Sequence, residues 1–141
     1  MKIASQGLRF VNLIVDNIFI QIVSAVVGFV VGMIYATSVL MANETITPED
    51  ESTLEVIGFI VGLVTALAYY ALFEALFQRT PAKFITGTMV VNAEGERPSF
   101  GQCVGRSFAR MIPFEAFSFL GSRNPVGWHD SLAGTRVIKA R

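Results

Sequence analysis

The feature that most constrains this chain is a run of 27 residues, Asn17 to Asn43, without one charged side chain. As a helix it would measure roughly 40 Å, whereas a bilayer core needs only about 20 residues. The run, "NIFIQIVSAVVGFVVGMIYATSVLMAN", is apolar on every face, unlike a helix on the surface of a soluble domain. It is too long for the apolar part of a cleavable leader. A chain of 141 residues is also too small to hide such a helix in a soluble core. A second run, Val56 to Phe73, adds 18 uncharged residues, just enough to cross, with Tyr69 and Tyr70 near its end as interfacial anchors. Only 16% of the residues are charged, against about 25% in ordinary soluble domains.

Between the runs lies "ETITPEDEST", in which Pro48 is expected to break the helix. The expected architecture is an all-α membrane protein built on a two-helix transmembrane hairpin. To this are added an interfacial amphipathic helix and two short cytoplasmic β-strands. One domain covers residues 1–141. The first span takes about residues 10–42, an external acidic loop about 43–53 and the second span about 54–77, and a cytoplasmic or interfacial part follows from about 78 to 141. Glu44, Glu49, Asp50, Glu51 and Glu55 crowd the loop, and all 11 basic residues lie outside the hairpin. The positive-inside rule therefore puts both termini in the cytoplasm. Gly28 and Gly32 in one span and Gly58 and Gly62 in the other fall at similar depth, so a close glycine contact between the spans is expected.

The C-terminal half is different in kind. "GTMVVN" is strand-like, and Ser99 can cap a helix on which Phe100, Val104, Phe108, Met111 and Ile112 share one face while Gln102, Arg106 and Arg110 share another. Such a helix suits a membrane surface, with arginine heads in the polar layer. "FEAFSFLG", Phe114 to Gly121, is too short to span and is expected to dip in or lie beside the hairpin. "TGTMVV" and "AGTRVI" share Gly-Thr-x-Val and are expected to pair as strands.

Candidate site residues follow from cost. Asp16 sits in "FVNLIVDNIFIQIV", where a carboxylate must be paired, hydrated or protonated. At about 100° per residue, Arg9, Asn12 and Asp16 share one helix face, with Asn17, Gln21 and Ser24 on a neighbouring polar strip. Glu74 lies near the cytoplasmic end of the second span, and Arg106, Arg110 or Asp130 could complete a cluster. Two readings stay open. Asp16, Glu74 and Asp130 could form a hydrated acidic site for a cation or proton, with arginines tuning their titration. Alternatively Arg9, Asp16, Arg110 and Asp130 form a salt-bridged clasp holding the tail to the hairpin, with Asp16 paired to Arg110 or Arg9.

Other classes find little support. One cysteine, Cys103, and one histidine, His129, preclude multi-cysteine and multi-histidine metal sites, and no cofactor motif is present. His129, Asp130 and Ser131 are adjacent in sequence, whereas a triad needs its members to converge from separate places. Trp128-His129 reads as an interfacial anchor, and there is no basic stripe for nucleic acid.

Three stretches together resemble the RDD family of bacterial membrane proteins. "RFVNLIVDNIFI" is similar to its opening, with Arg9 and Asp16. "RTPAKFITGTMVVNAEGERPSFGQCVGRSFARMIP" is similar to its central T-x-G-K and G-x-x-V-V segment, with Ala82 where the family often has glycine. "GWHDSLAGTRVI" is similar to its closing D-x-L-A-G-T-x-V-V, with Asp130. The resemblance implies a multi-pass protein of the bacterial cytoplasmic (inner) membrane. It further implies transport of a monovalent cation or small ligand, which two spans could support only as a homo-oligomer. The competing expectation is a non-enzymatic accessory or scaffolding subunit, with the lipid bilayer and other membrane subunits as partners.

Overall fold

A computed structural model describes residues 2–42, 45–118 and 126–140. The element order is α1 (Gln6–Met41), α2 (Pro48–Phe77), α3 (Pro81–Thr86), β1 (Thr88–Asn92), α4 (Phe100–Ala109), a 3-10 turn (Glu115–Phe117), α5 (Trp128–Leu132) and β2 (Thr135–Lys139). The chain is mostly helical. Both α1 and α2 are long and apolar enough to cross a membrane, and the most apolar 18-residue stretch of α1 contains no buried residue. Two compact units are formed, one from residues 20–66 and the other from residues 1–19 with 67–141.

In the unit of residues 20–66, Pro48 starts α2 instead of breaking a helix. The ring supplies a preset φ at the first helical position, where the missing N–H is not needed. Thr47 and Asp50 cap that start reciprocally: the Thr47 amide and hydroxyl donate to the Asp50 carboxylate (2.8 and 2.7 Å), and the Asp50 amide donates to the Thr47 hydroxyl (3.3 Å). The Tyr35 hydroxyl adds a bond to the same carboxylate. Glu49, Asp50 and Glu51, expected in a loop, thus occupy the first helical turn, where the helix dipole favours acids. Asn43 and Glu44 of the expected loop lie outside the described residues.

The close glycine contact does not form. A methyl group built on Gly28, Gly32, Gly58 or Gly62 would meet nothing within 4 Å. Gly58 and Gly62 instead border an open groove of about 430 Å³, shared with Ile20, Gln21 and Ser24. The small residues there create room and not contact.

In the other unit, β1 and β2 pair antiparallel with Val90 opposite Val137. Ala4 joins these valines in a small buried cluster. The N-terminal segment continues the sheet: the Ala4 amide donates to the Val137 carbonyl, and the Lys139 amide donates to the Lys2 carbonyl (3.0 Å each). The shared Gly-Thr ahead of each strand has a physical cause. Gly87 and Gly134 both adopt left-handed backbone (φ 63° and 62°), which reverses the chain out of a short helix and into a strand. Gly87 also closes α3, its amide bonding the Lys83 carbonyl.

Ser99 caps α4 through a full capping box with Gln102, worth about 1 kcal/mol. The helix is inside-out relative to a soluble one. Arg106, Cys103, Ser107 and Ala109 are buried, while Phe100 and Phe108 are exposed. Arg106 does not reach a polar surface layer, because carboxylates from α2 and α5 meet it inside the fold. The expected segment Phe114–Gly121 is described only to Ser118. Its first part is the 3-10 turn, with Phe114 and Phe117 exposed and Glu115 buried. Arg97 closes the end of α2 by donating to the Ala75 and Leu76 carbonyls, which lack helical partners.

Candidate functional site: a buried ion network

The polar face of α1 begins the site. Arg9, Asn12 and Asp16, spaced to share one stripe, are all buried. Arg9 bonds Asp130 of α5. The Asn12 amide donates to the Thr88 hydroxyl (3.0 Å) and its carbonyl accepts from Thr86 (2.6 Å), which ties α1 to the turn between α3 and β1. Asp16 accepts from the Tyr69 hydroxyl (2.8 Å), the Thr80 hydroxyl (2.6 Å) and the Ala82 amide (3.2 Å).

This corrects the expected Asp16–arginine pair. Among the described residues Asp16 has no arginine within salt-bridge distance. Its charge is met by two hydroxyls and the amide of the first turn of α3, where neither Arg9 nor Arg110 is placed. Ala82 stands fully buried where the family often has glycine, and its backbone still approaches closely enough to bond the carboxylate.

Glu74 is the centre of the second layer. It is completely buried and takes Lys83 at 2.9 Å, Arg106 at 2.7 Å and Arg110 at 3.3 Å. Arg106 in turn bonds Asp130 and the Thr135 hydroxyl, so one guanidinium links α2, α5 and β2. Burial works against the Arg106 charge, but Glu74 and Asp130 outweigh it and raise its pKa. Burial likewise opposes ionisation of Asp130, yet Arg106, His129 and Arg9 hold its carboxyl well below the usual range. Lys83 is lowered by burial in spite of Glu74. Arg110 lies over the Tyr70 ring, 4.1 Å from its centre.

Glu115 and His129 close the cluster. His129, expected at the interface, is buried and bonds Glu115 through Nδ1, whereas its neighbour Trp128 is exposed. Burial and the nearby Arg110 push the His129 pKa down to about 4. That direction favours the neutral ring near pH 7, and the closer contact of Nδ1 with Glu115, against 3.4 Å from Nε2 to Asp130, assigns the proton to Nδ1. Burial alone would raise Glu115, but the His129 bond and charge and Arg110 lower it.

The network thus holds four basic groups (Arg9, Lys83, Arg106, Arg110), all paired to Glu74 or Asp130, and two further acids, Asp16 and Glu115, held by neutral donors, so that the formal charges cancel. The cavity bordered by Arg9, Asp16, Lys83, Arg110 and Glu115, with Asn12 and His129, measures about 30 Å³, room for a water or two. Among the described residues no three acids, histidines or cysteines converge as metal ligands.

The expected residues Arg9, Asp16, Glu74, Arg106, Arg110 and Asp130 all lie within this one unit. They are bridged by residues that the sequence did not single out for it. Tyr69 read as a headgroup anchor and Lys83 as a topological signal. Thr80 and Thr135 stood in quoted motifs, T-x-G-K and Gly-Thr-x-Val, without a role in a charge network, and Glu115 carried no motif of its own.

Residues 3–134 match the RDD family. The chain belongs to the RDD family, a membrane family. It is 29% identical over 147 residues to the uncharacterized protein YxaI of Bacillus subtilis (strain 168), covering 97% of each chain. No solved structure matches. Among the charged residues of the RDD chain that resemble the family's motifs, Arg9, Asp16, Lys83 and Asp130 are buried, on α1, α3 and α5.

Proposed function

We propose that this RDD protein is an integral module of the bacterial inner membrane, with two spans and both termini cytoplasmic. Its C-terminal half is fastened to the cytoplasmic ends of the spans, and it works as an accessory or scaffolding subunit without enzymatic activity of its own. The membrane part rests on the exposed apolar surface of α1 and α2, which water would penalise and lipid would not. The orientation rests on the placement of the basic residues outside the spans.

One observation carries the functional reading. Each acid in the network already has a basic, hydroxyl, imidazole or amide donor, and the cavity beside Asp16 and Glu115 is only about 30 Å³. A cation entering it would compete with three fixed positive groups, Arg9, Lys83 and Arg110. Breaking such a buried pair is costly, so the arrangement favours a permanent fastening over a site that fills and empties. The second reading is transport of a monovalent cation or small ligand by an oligomer. It is favoured by the titratable groups around that same cavity, since buried ion networks also serve in pumps.

Purified protein in proteoliposomes decides between them. The scaffold reading expects sodium, potassium and proton fluxes equal to those of empty vesicles. Flux above that level, abolished by Asp16→Asn without loss of folded protein, establishes transport instead.

A further inference from the structure

The polar strip on α1 beyond Asp16 is not absorbed by the ion network. Gln21 and Ser24 lie one helical turn apart, so their side chains point the same way. Both line the groove of about 430 Å³ beside Gly58 and Gly62. Gln21 is exposed and makes no hydrogen bond among the described residues. The Ser24 hydroxyl oxygen is buried and also without a partner. Within a span, lipid can satisfy neither group, and an unmet amide in hydrocarbon is costly.

We propose that this groove is a self-association surface, filled by the same face of a second copy of the chain and closed by hydrogen bonds between the Gln21 and Ser24 side chains of the two copies. The choice of occupant follows from the chemistry of the amide. A glutamine carries both donors and an acceptor, so two copies related by a twofold axis running past Gln21 satisfy one another reciprocally. A hydroxyl one turn away supplies the additional donor and acceptor. The glycines contribute room: nothing lies within 4 Å of a methyl built on Gly58 or Gly62, so a neighbouring helix can come close to the backbone. An acyl chain would fill the volume and leave the amide unmet.

The proposal rests on the membrane reading, and its test separates the two. Single cysteines are placed at Gln21, Ser24 and Val26 in the Cys103→Ser chain, and membranes are treated with an oxidant. Val26 is exposed on another face of α1 and serves as the control. A symmetric disulfide needs Cα atoms within about 7 Å. Disulfide-linked dimers of the chain are expected at Gln21→Cys or Ser24→Cys and not at Val26→Cys. In the otherwise unaltered chain, Gln21→Leu should weaken dimerisation in bilayers by roughly 3- to 20-fold, read by single-molecule photobleaching. Equal cross-linking at all three positions, none at 21 and 24, or links only to a different protein would overturn the proposal. So would unchanged dimerisation of Gln21→Leu. Resistance to alkaline carbonate extraction reports on membrane integration by itself, whichever way the cross-links fall.

Discussion

Replacing Glu74 by glutamine is the sharpest perturbation of the network. The side chain keeps its size, and the fully buried site loses the carboxylate that meets Lys83, Arg106 and Arg110 at 2.9, 2.7 and 3.3 Å. The balance of four basic groups against four acids becomes four against three. Stranding a buried charge costs about 3–5 kcal/mol, a factor of roughly 10² to 10⁴ in the folding equilibrium. The new amide also turns N–H donors toward cations. Adding Lys83→Met restores neutrality, and Arg106 and Arg110 can still donate to the glutamine oxygen. The double variant should therefore recover about half of the loss or more. The assay is unfolding in mixed micelles, followed by the fluorescence of the single tryptophan, Trp128 in α5. The reasoning is refuted if Glu74→Gln unfolds like the parent, or if the double variant is less stable than the single one.

The other predictions are narrower. Asp16→Ala removes the acceptor of Tyr69, Thr80 and the Ala82 amide, so a loss of at least about 3 kcal/mol is expected in the same assay, and Thr80→Val alone should lose about 1–2 kcal/mol. The folded pKa of His129, about 4, lies below its ordinary value near 6.5, so the folded state binds fewer protons between these values and stability falls as the pH drops from about 6.5 to 4. Glu115, Asp130, Arg106 and Arg110 surround the ring; His129→Gln should flatten that part of the pH–stability curve, a change on the order of 3 kcal/mol, and an unchanged curve would assign the slope to another group. Gly134→Ala forces a side chain into left-handed backbone at φ 62° and should cost about 1–2 kcal/mol, read as a lower unfolding midpoint.

The parts of this fold that the sequence announces are those fixed by local chemistry. The long uncharged runs give α1 and α2, because length and apolarity alone decide them. Ser99 with Gln102 gives the start of α4, and the repeated Gly-Thr-x-Val gives the two strands, since a left-handed glycine must precede each. The start of α2 is equally local: Thr47-Pro48-Glu49-Asp50 is a capping box with proline at the first helical position, where proline begins a helix as readily as it ends one elsewhere. The charged stripe Arg9, Asn12, Asp16 is also legible from spacing. What spacing cannot give is the partner of each residue. Asp16 is met by Tyr69, 53 residues away, and by the first turn of α3, and nothing in "RTPAKF" ranks Thr80 and the Ala82 amide above Arg110 as donors. The two faces of α4 were visible, but which one turns inward depends on Glu74 and Asp130, carboxylates of other elements.

Membrane topology is the central claim, because the proposal that α1 and α2 face lipid and that the network lies on the cytoplasmic side depends on it. Two single-cysteine chains, Thr53→Cys and Glu94→Cys, each carrying Cys103→Ser, are exposed in intact cells to a membrane-impermeant thiol reagent. Both positions are exposed in the structure. The account predicts that position 53 is labelled in intact cells and position 94 only after lysis. The reverse pattern, or labelling of both in intact cells, would contradict it.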